Sequence, residues 1–363
     1  MEFLTSAVFE AARCAKFEGP RHSFLTPVFM PVGTRGTIKA AIATQIADIG
    51  YEVILGNTYH LMLRPGVKTI ASFGGLHQFT GWTKSMLTDS GGYQVMSLGA
   101  NYSDSGVTFR SIYDGSIHEI SPEDATTMQE DIGADIAMVL DVCTDLPSTR
   151  DQVAKAMNLT HDWAVRARRA KVRGDQAQFG IVQGGIESDL RQESAQFIST
   201  LGFEGIAIGG LAVGESREEM LSAVEIVVKE LPKDKPVYLM GVGDPIGVVE
   251  SIIRGVDMFD CVAPSRVARH GQAMTFGGKL HLKNLQYATD SNPIEADCWC
   301  VACQNFPRGL IRHLLSVGEP SAGTLITLHN LTFMYRLILE ARIGIQKGTI
   351  HDLARSIRAA WSN

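Results

Sequence analysis

Three acidic residues close short apolar runs in this 363-residue chain: Asp89 in Leu87-Thr88-Asp89-Ser90-Gly91-Gly92-Tyr93, Asp141 in Leu140-Asp141-Val142-Cys143, and Asp260 in Met258-Phe259-Asp260-Cys261. An Asp at such a point most often caps the helix that follows. Two carboxylates flanking a sugar have another use: one serves as acid and base, the other as nucleophile, and a glycosidic bond is displaced between them. Neighbouring residues suit a flat, polar substrate. Asp141 and Gln183 can hydrogen-bond the edge of a heterocycle, and Tyr93 offers a side chain that either stacks on a planar ring or packs in a core. Gln183-Gly184-Gly185 and Gly209-Gly210-Leu211 let backbone approach a planar ligand closely. Arg266 and Arg269 suit bidentate phosphate contacts, and equally suit surface ion pairs.

A second cluster points to metal. Cys298-Trp299-Cys300-Val301-Ala302-Cys303 places three thiols within six residues. Structural zinc takes four N or S ligands in closed tetrahedral sets such as Cys₃His. The fourth ligand is open by spacing alone, because His281, His313 and His329 all lie near in sequence. The remaining thiols are sparse, which suits a reducing cytoplasm better than a disulfide framework.

The elements that must position these groups follow from periodicity. Eight apolar runs recur: Pro27–Gly33, Glu52–Tyr59, Ser85–Gly92, Asp135–Asp141, Gln178–Gly184, Gly205–Leu211, Pro236–Gly243 and Met258–Pro264. Continuous apolar runs of this length read as strands buried on both faces of a parallel sheet. Helical patterns lie between most of them, at Thr37–Ile49, after Ser121-Pro122, and over Thr149–Lys171, Ser188–Leu201, Arg217–Leu231 and Ile246–Arg254. A β-hairpin around Tyr113-Asp114-Gly115 interrupts the third crossover. Eight strands alternating with helices predict an α/β fold, a (β/α)₈ TIM barrel, with a doubly wound open sheet as the alternative. The first strand is not followed by GxGxxG, which speaks against dinucleotide binding. Beyond the eighth strand the pattern changes to a short hairpin at Thr275–Leu282, the thiols, a helix near Leu310–Leu315, a long helix from about Thr324 to Ile343, and a last helix, Ile350–Trp361. The expected organisation is a catalytic barrel of residues 1–274 and 346–363, with a zinc-binding insertion at 275–345 before the last helix.

Composition sets bounds. Hydrophobic residues at 45% and charged residues at 20% are those of an ordinary globular protein. The longest stretch without Asp, Glu, Lys or Arg is the sixteen residues Pro320–Tyr335, too short and polar for a membrane span. No basic start precedes an apolar run at the N-terminus, so neither a signal peptide nor a membrane partner is expected. Residues 1–250 hold 21 basic and 31 acidic side chains, against 12 and 8 in residues 251–363. That shift, from −10 to +4, fits either a nucleic-acid contact or a solvated basic face.

Taken together, these segments resemble the bacterial tRNA-guanine transglycosylases, the queuine tRNA-ribosyltransferases. The matching stretches are Leu87–Leu98, Gly180-Ile181-Val182-Gln183-Gly184, Gly209–Glu215, Tyr238-Leu239-Met240-Gly241-Val242-Gly243, Asp257–Val262, and the Cys-x-Cys-x-x-Cys with His329. The resemblance runs from about Phe29 to the C-terminus. It implies a zinc-bearing (β/α)₈ barrel with one structural Zn²⁺ per chain, held by Cys298, Cys300, Cys303 and His329. It implies a cytoplasmic homodimeric pentosyltransferase that exchanges guanine at the wobble position of tRNA-Asp, -Asn, -His and -Tyr (GUN anticodons) for the queuosine precursor preQ1. By matching position, Asp260 is the nucleophile on ribose C1′ and Asp89 the general acid/base. Asp141, Gln183 and the Gly210 backbone read the base, Tyr93 stacks on it, and the Leu211 carbonyl meets the aminomethyl group. Cys143, Gly184 and Met240 complete the base pocket. Gly241, Val242, Gly243 and Asp244, with Ser265, Arg266, Val267, Ala268 and Arg269, hold the anticodon strand.

The sequence departs from that pattern at one point. Bacterial relatives usually carry Asp-Glu-Cys at the fourth strand end, whereas this chain has Asp141-Val142-Cys143. Val142 cannot assist recognition of a base-edge donor or a cationic aminomethyl group, so queuine itself is an alternative incoming base. Two other classes fit parts of the residue pattern. A barrel glycoside hydrolase would use the same carboxylates, and a non-catalytic zinc-dependent RNA-binding protein would use the thiols and arginines.

Overall fold

The computed structural model describes residues 1–145 and 147–362. Each of the eight apolar runs overlaps one strand of a single closed parallel barrel. In chain order these are β1 (Val28–Gly33), β2 (Val53–Asn57), β3 (Ser85–Asp89), β4 (Ile136–Met138), β5 (Ala177–Val182), β6 (Gly205–Ile208), β7 (Val237–Leu239) and β8 (Met258–Cys261). Closure is made by β8 pairing with β1, Met258 opposite Val28 and Asp260 opposite Met30. This excludes the open sheet. Strands buried on both faces explain why the runs are apolar throughout: β2, β5 and β6 consist wholly of buried residues.

The crossover helices start where their caps stand. The Ser121, Thr149, Ser216 and Asp244 side chains each accept a backbone N–H from the first turn of the following helix. The expected helix over Thr37–Ile49 forms only from Ala43 to Ile49. Residues 34–42 instead make tight turns, with Ala40 in the left-handed region at φ 69°, and this loop carries Arg35 onto the barrel rim. The hairpin in the third crossover is part of a three-stranded sheet, with Asn101–Tyr102 added to Val107–Arg110 and Ile117–Ile120.

One element is absent from the sequence reading. Phe3–Phe9, Ala12–Phe17 and Phe24–Thr26 form an antiparallel sheet ahead of the barrel. From it Arg13 reaches Asp257, its Nε at 3.0 Å from Oδ1 and its Nη2 at 2.6 Å from Oδ2. Arg13 also donates to the Lys233 and Lys235 carbonyls, while Asp257 accepts the Val237 N–H at 2.7 Å. The pair is buried at the N-terminal ends of β7 and β8, where removal of one partner costs about 3–5 kcal/mol.

The C-terminal region has its own apolar cluster, which joins Ala268, Ala273, Leu282, Tyr287, Ile294, Ile311 and Ile326 to the three thiols. The hairpin begins at Gln272 and the long helix spans Pro320–Lys347. That helix serves both cores. Ile326 packs in the thiol cluster, whereas Leu331, Phe333, Met334 and Leu337 pack on the barrel. Among the described residues no helix is long and apolar enough to cross a membrane.

Candidate active site and metal cluster

Catalytic groups of such barrels stand at the C-terminal ends of the strands. Asp89 ends β3 and Asp260 lies in β8, and their hydrogen bonding separates them chemically. Asp89 accepts on both oxygens: Asn57 Nδ2 donates to Oδ2 at 2.6 Å, and the Thr58 N–H to Oδ1 at 3.1 Å. Burial, and then the negative charge of Asp260, push its carboxyl up to about 8 despite those donors, with a smaller rise from Asp141. Asp89 is therefore a protonated acid at neutral pH. Asp260 accepts on one oxygen only. Tyr238 Oη donates to Oδ1 at 2.6 Å and the Gly241 N–H donates to the same atom at 2.8 Å. Burial raises the Asp260 carboxyl, and these two donors oppose the rise.

Asp141 follows β4 and is buried with Gln183 and Cys143. Gln183 Nε2 donates to its Oδ2 at 2.7 Å, and Cys143 Sγ to the same oxygen at 3.3 Å. The walls around it are glycine because nothing larger fits. A Cβ on Gly92 would lie 2.4 Å from Asp141 Oδ1, and one on Gly210 would lie 2.2 Å from Gln183 Oε1. Gly210 is also left-handed, at φ 63°. Gly210→Ala should thus cost about 1–2 kcal/mol of stability. By displacing Gln183 it should lower kcat/KM for the substrate on the order of 100-fold. Steady-state kinetics beside a thermal melt check both; unchanged kinetics would remove Gln183 from the site.

The structure brings the other sequence-selected residues to the same mouth. Tyr93 is 53% exposed, which rules out the core reading and leaves its ring free to stack. Gly184, Gly210 and Leu211 follow β5 and β6, and Met240 follows β7. Val142 is buried among Val95, Phe109, Leu140 and Trp163, so it adds no polar group to the site. Gly241, Val242 and Gly243 form the turn that bonds Asp260. Asp244 is occupied otherwise, capping the next helix through Gly247 N–H at 2.9 Å and pairing with Arg217 at 3.1 Å. Ser265, Arg266, Val267, Ala268 and Arg269 lie on the short helix Ala263–Arg269 directly after β8. Arg266 is exposed and Arg269 donates to the Ser265 carbonyl at 2.8 Å. Among the described residues neither enters an ion pair of the kind that Arg150 and Arg217 make.

Several working residues escaped the sequence reading. Asn57, Thr58 and Tyr238 hold the two carboxylates. Arg191 is fully buried and donates to the carbonyls of Val182, Gly185, Gly209 and Gly210 at 2.7–3.3 Å. It ties the ends of β5 and β6 together and so fixes the backbone beside Gln183. The available signal was an arginine in the buried stripe of the helix Ser188–Ser199, in line with Ser194 and Ile198.

The thiol cluster closes around His329. Its Nδ1 lies 3.6, 3.7 and 3.3 Å from the sulfurs of Cys298, Cys300 and Cys303, and all four ligand atoms fall within 4.8 Å of one another. The other nitrogen, Nε2, is 2.9 Å from the Met274 carbonyl, an outer bond that turns Nδ1 toward the sulfurs. His281 and His313 are exposed and lie outside this group. Four buried soft donors in tetrahedral reach fit a metal ion with no position left open.

A closed parallel barrel with an acid and a carboxylate at its mouth, and a closed thiolate–imidazole site behind the eighth strand, defines a barrel enzyme equipped for displacement at a glycosidic carbon. A family model described as Queuine tRNA-ribosyltransferase matches residues 9–363. Proteins named queuine tRNA-ribosyltransferase from Herpetosiphon aurantiacus, Moorella thermoacetica and Zymomonas mobilis are 49%, 47% and 45% identical to the chain. The alignments cover 96%, 94% and 96% of this chain and 89%, 92% and 92% of those proteins. The chain belongs to the queuine tRNA-ribosyltransferase family, and is a pentosyltransferase.

Proposed function

We propose that this enzyme exchanges guanine at the wobble position of tRNAs with GUN anticodons, those for Asp, Asn, His and Tyr, for preQ1. The observation that carries the reading is the division of labour between Asp89, a buried acid, and Asp260, a carboxylate with one oxygen unoccupied. Asp260 Oδ2 attacks ribose C1′ as the C1′–N9 bond breaks, and Asp89 gives its proton to the departing guanine. The result is a ribosyl ester on Asp260. The incoming base then yields its N9 proton to Asp89 and attacks C1′, breaking the ester and regenerating both groups. Two inversions leave the configuration unchanged.

Asp141, Gln183 and the Gly210 backbone read the guanine edge, with Cys143, Gly184, Leu211 and Met240 lining the pocket and Tyr93 stacking on the base. The target base leaves its stack to enter, which an anticodon loop permits cheaply. The turn Gly241–Asp244 and the helix bearing Ser265–Arg269 hold the anticodon strand. We read the metal as one structural zinc, carried on an insertion of residues 275–345, with 1–274 and 346–363 as the barrel. Free cysteines suit the cytoplasm. Trp299, Val301 and Leu310, exposed around the metal site, suit a homodimer face; sedimentation as a monomer at working concentration would remove that reading.

The test is incorporation of labelled guanine into unmodified tRNA-Tyr transcript, with preQ1 and queuine as competitors. The reading fails if folded protein incorporates no guanine. Preference for queuine would make Val142 the mark of a salvage enzyme.

The carboxyl shifts also fix a pH profile for kcat/KM. Asp89 must be protonated in the first displacement, so activity falls as pH rises through about 8. Asp260 must be ionised, and its raised pKa puts the acid limb above the usual carboxylate range. Asn57→Ala loses the donor that lowers Asp89, together with the helix cap on the His60 N–H. The basic limb should then move to higher pH; a limb that stays or falls would contradict the assignment of Asp89.

A further inference from the structure

The mouth of the barrel is electrically divided. Going round the ring, the loops after β4, β5, β6 and β7 carry Asp141 and Asp145, Glu187, Glu215 and Asp244, with no Lys or Arg before the next helix other than those on the helices themselves. The opposite arc is basic. The helix after β8 carries Arg266 and Arg269, the loop after β1 carries Arg35 and Lys39, and Arg64 ends the short helix after β2; none of these three segments holds Asp or Glu. β8, β1 and β2 are consecutive neighbours in the barrel, so the basic side chains follow one another along the rim.

Within that arc three successive loops converge on one aromatic ring. Tyr113, at the tip of the hairpin that follows β3, has the Arg64 guanidinium over its ring at 4.4 Å from the centroid and the Arg35 guanidinium at 5.4 Å. His60 Nδ1 lies 3.3 Å from the Tyr113 hydroxyl and anchors it from the helix whose first N–H, that of Thr58, bonds Asp89. Burial, then the charge of Arg35, hold His60 below its ordinary value, so the anchor adds no competing cation at neutral pH. Both arginines are exposed, and among the described residues neither is in an ion pair, unlike Arg150 and Arg217 on the acidic side. The nearest acid in sequence, Asp114, is turned to the Ser116 hydroxyl at 2.7 Å. Stacking on an aromatic face fixes a guanidinium while leaving its N–H edge available, the arrangement suited to bidentate phosphate contact.

We infer that Arg35 and Arg64, ordered on Tyr113, form a second phosphate-binding site for the RNA backbone on the Asp89 side of the mouth. The substrate strand then crosses the basic arc from the β8 helix to the β2 loop, with its target base turned in toward the acidic side. This rests on the reading of RNA as substrate given above, and adds where that RNA runs.

The test measures binding of a stem–loop RNA with a GUN anticodon by fluorescence anisotropy across a salt series, for the wild type, Arg35→Ala, Arg64→Ala and the double variant. Each phosphate of a single strand that the variant no longer neutralises should flatten the plot of log Kd against log salt by about 0.7. Weakening should be equal for a loop whose bases are scrambled, because backbone contacts carry no sequence information. In exchange assays the KM for RNA should rise, while the KM for guanine stays within twofold. Tyr113→Phe should behave as wild type and Tyr113→Leu as an arginine variant, which separates stacking from the hydroxyl's hydrogen bond. A double variant with wild-type slope and wild-type KM for RNA overturns the site while leaving the transglycosylase reading intact. A wild type that neither binds RNA nor incorporates guanine fails that reading, and the site falls with it.

Discussion

On the proposed mechanism Asp260→Asn should lower base exchange at least about 10⁴-fold in kcat and should leave the fold unchanged. The reason lies in how the carboxylate is held. Both of its donors, Tyr238 Oη and the Gly241 N–H, reach the same oxygen, Oδ1. An asparagine that keeps its carbonyl oxygen there satisfies both and presents an amide nitrogen where Oδ2 stood. That nitrogen has its lone pair delocalised and forms no ester with C1′. The variant should melt with the wild type, still bind RNA, and yield no RNA adduct stable to denaturing gel electrophoresis. Asp89→Asn differs in kind. On the proposed roles it would remove the proton donor, an expected loss of about 10²–10⁴-fold, but leave the nucleophile in place, so a slowly formed adduct should persist. An Asp260→Asn protein that still traps RNA would remove Asp260 as the nucleophile, and the mechanism with it.

The contrast between the two aspartates shows how far the sequence could be read. That the carboxylates stand at strand ends was visible, because each follows an apolar run and the runs alternate with helices. Why they differ was not. The raised pKa of Asp89 comes from burial and then from the charge of Asp260 on β8, a strand that only closure against β1 brings round, while Asn57 and Thr58 from the neighbouring β2 and its helix oppose the rise. Tyr238 was hidden for a similar reason: within an apolar strand its hydroxyl gives no sign that it faces Asp260. The N-terminal sheet was missed because its strands, FLTSAVF and ARCAKF, show neither a continuous apolar run nor a strict alternation, and no spacing pairs Arg13 with Asp257, 244 positions away. Spacing alone left the fourth metal ligand open among three histidines; the resemblance implied His329, and the long helix turns it toward the thiols. The long helix also blurs the expected boundary of the insertion, since one of its faces meets the metal cluster and another meets the barrel.

That shared helix makes loss of the metal the second large effect. The cluster around Cys298, Cys300 and Cys303 has few other apolar members, and structural zinc sites supply on the order of 10 kcal/mol to such small cores. Cys298→Ser, or stripping the ion with a chelator, should unfold the region from about residue 272 to 316 while the barrel strands keep their hydrogen-exchange protection. The damage then travels by identifiable hydrogen bonds. His329 is followed by Asn330, whose side chain donates to the Pro264 and Gln272 carbonyls at 3.0 Å each and accepts the Met274 N–H at 2.8 Å. Pro264 lies in the first turn of the helix that carries Ser265–Arg269. Loosening the helix should therefore weaken RNA binding at least tenfold, whereas the pocket built by Asp89, Asp141 and Gln183, anchored in β3 to β5, should keep its affinity for guanine. Anisotropy with RNA, calorimetry with guanine and peptide-resolved hydrogen exchange on the same metal-free sample separate these effects. Metal-free protein with unchanged protection and RNA affinity would show that the Cys₃His cluster does not support the helix Ala263–Arg269.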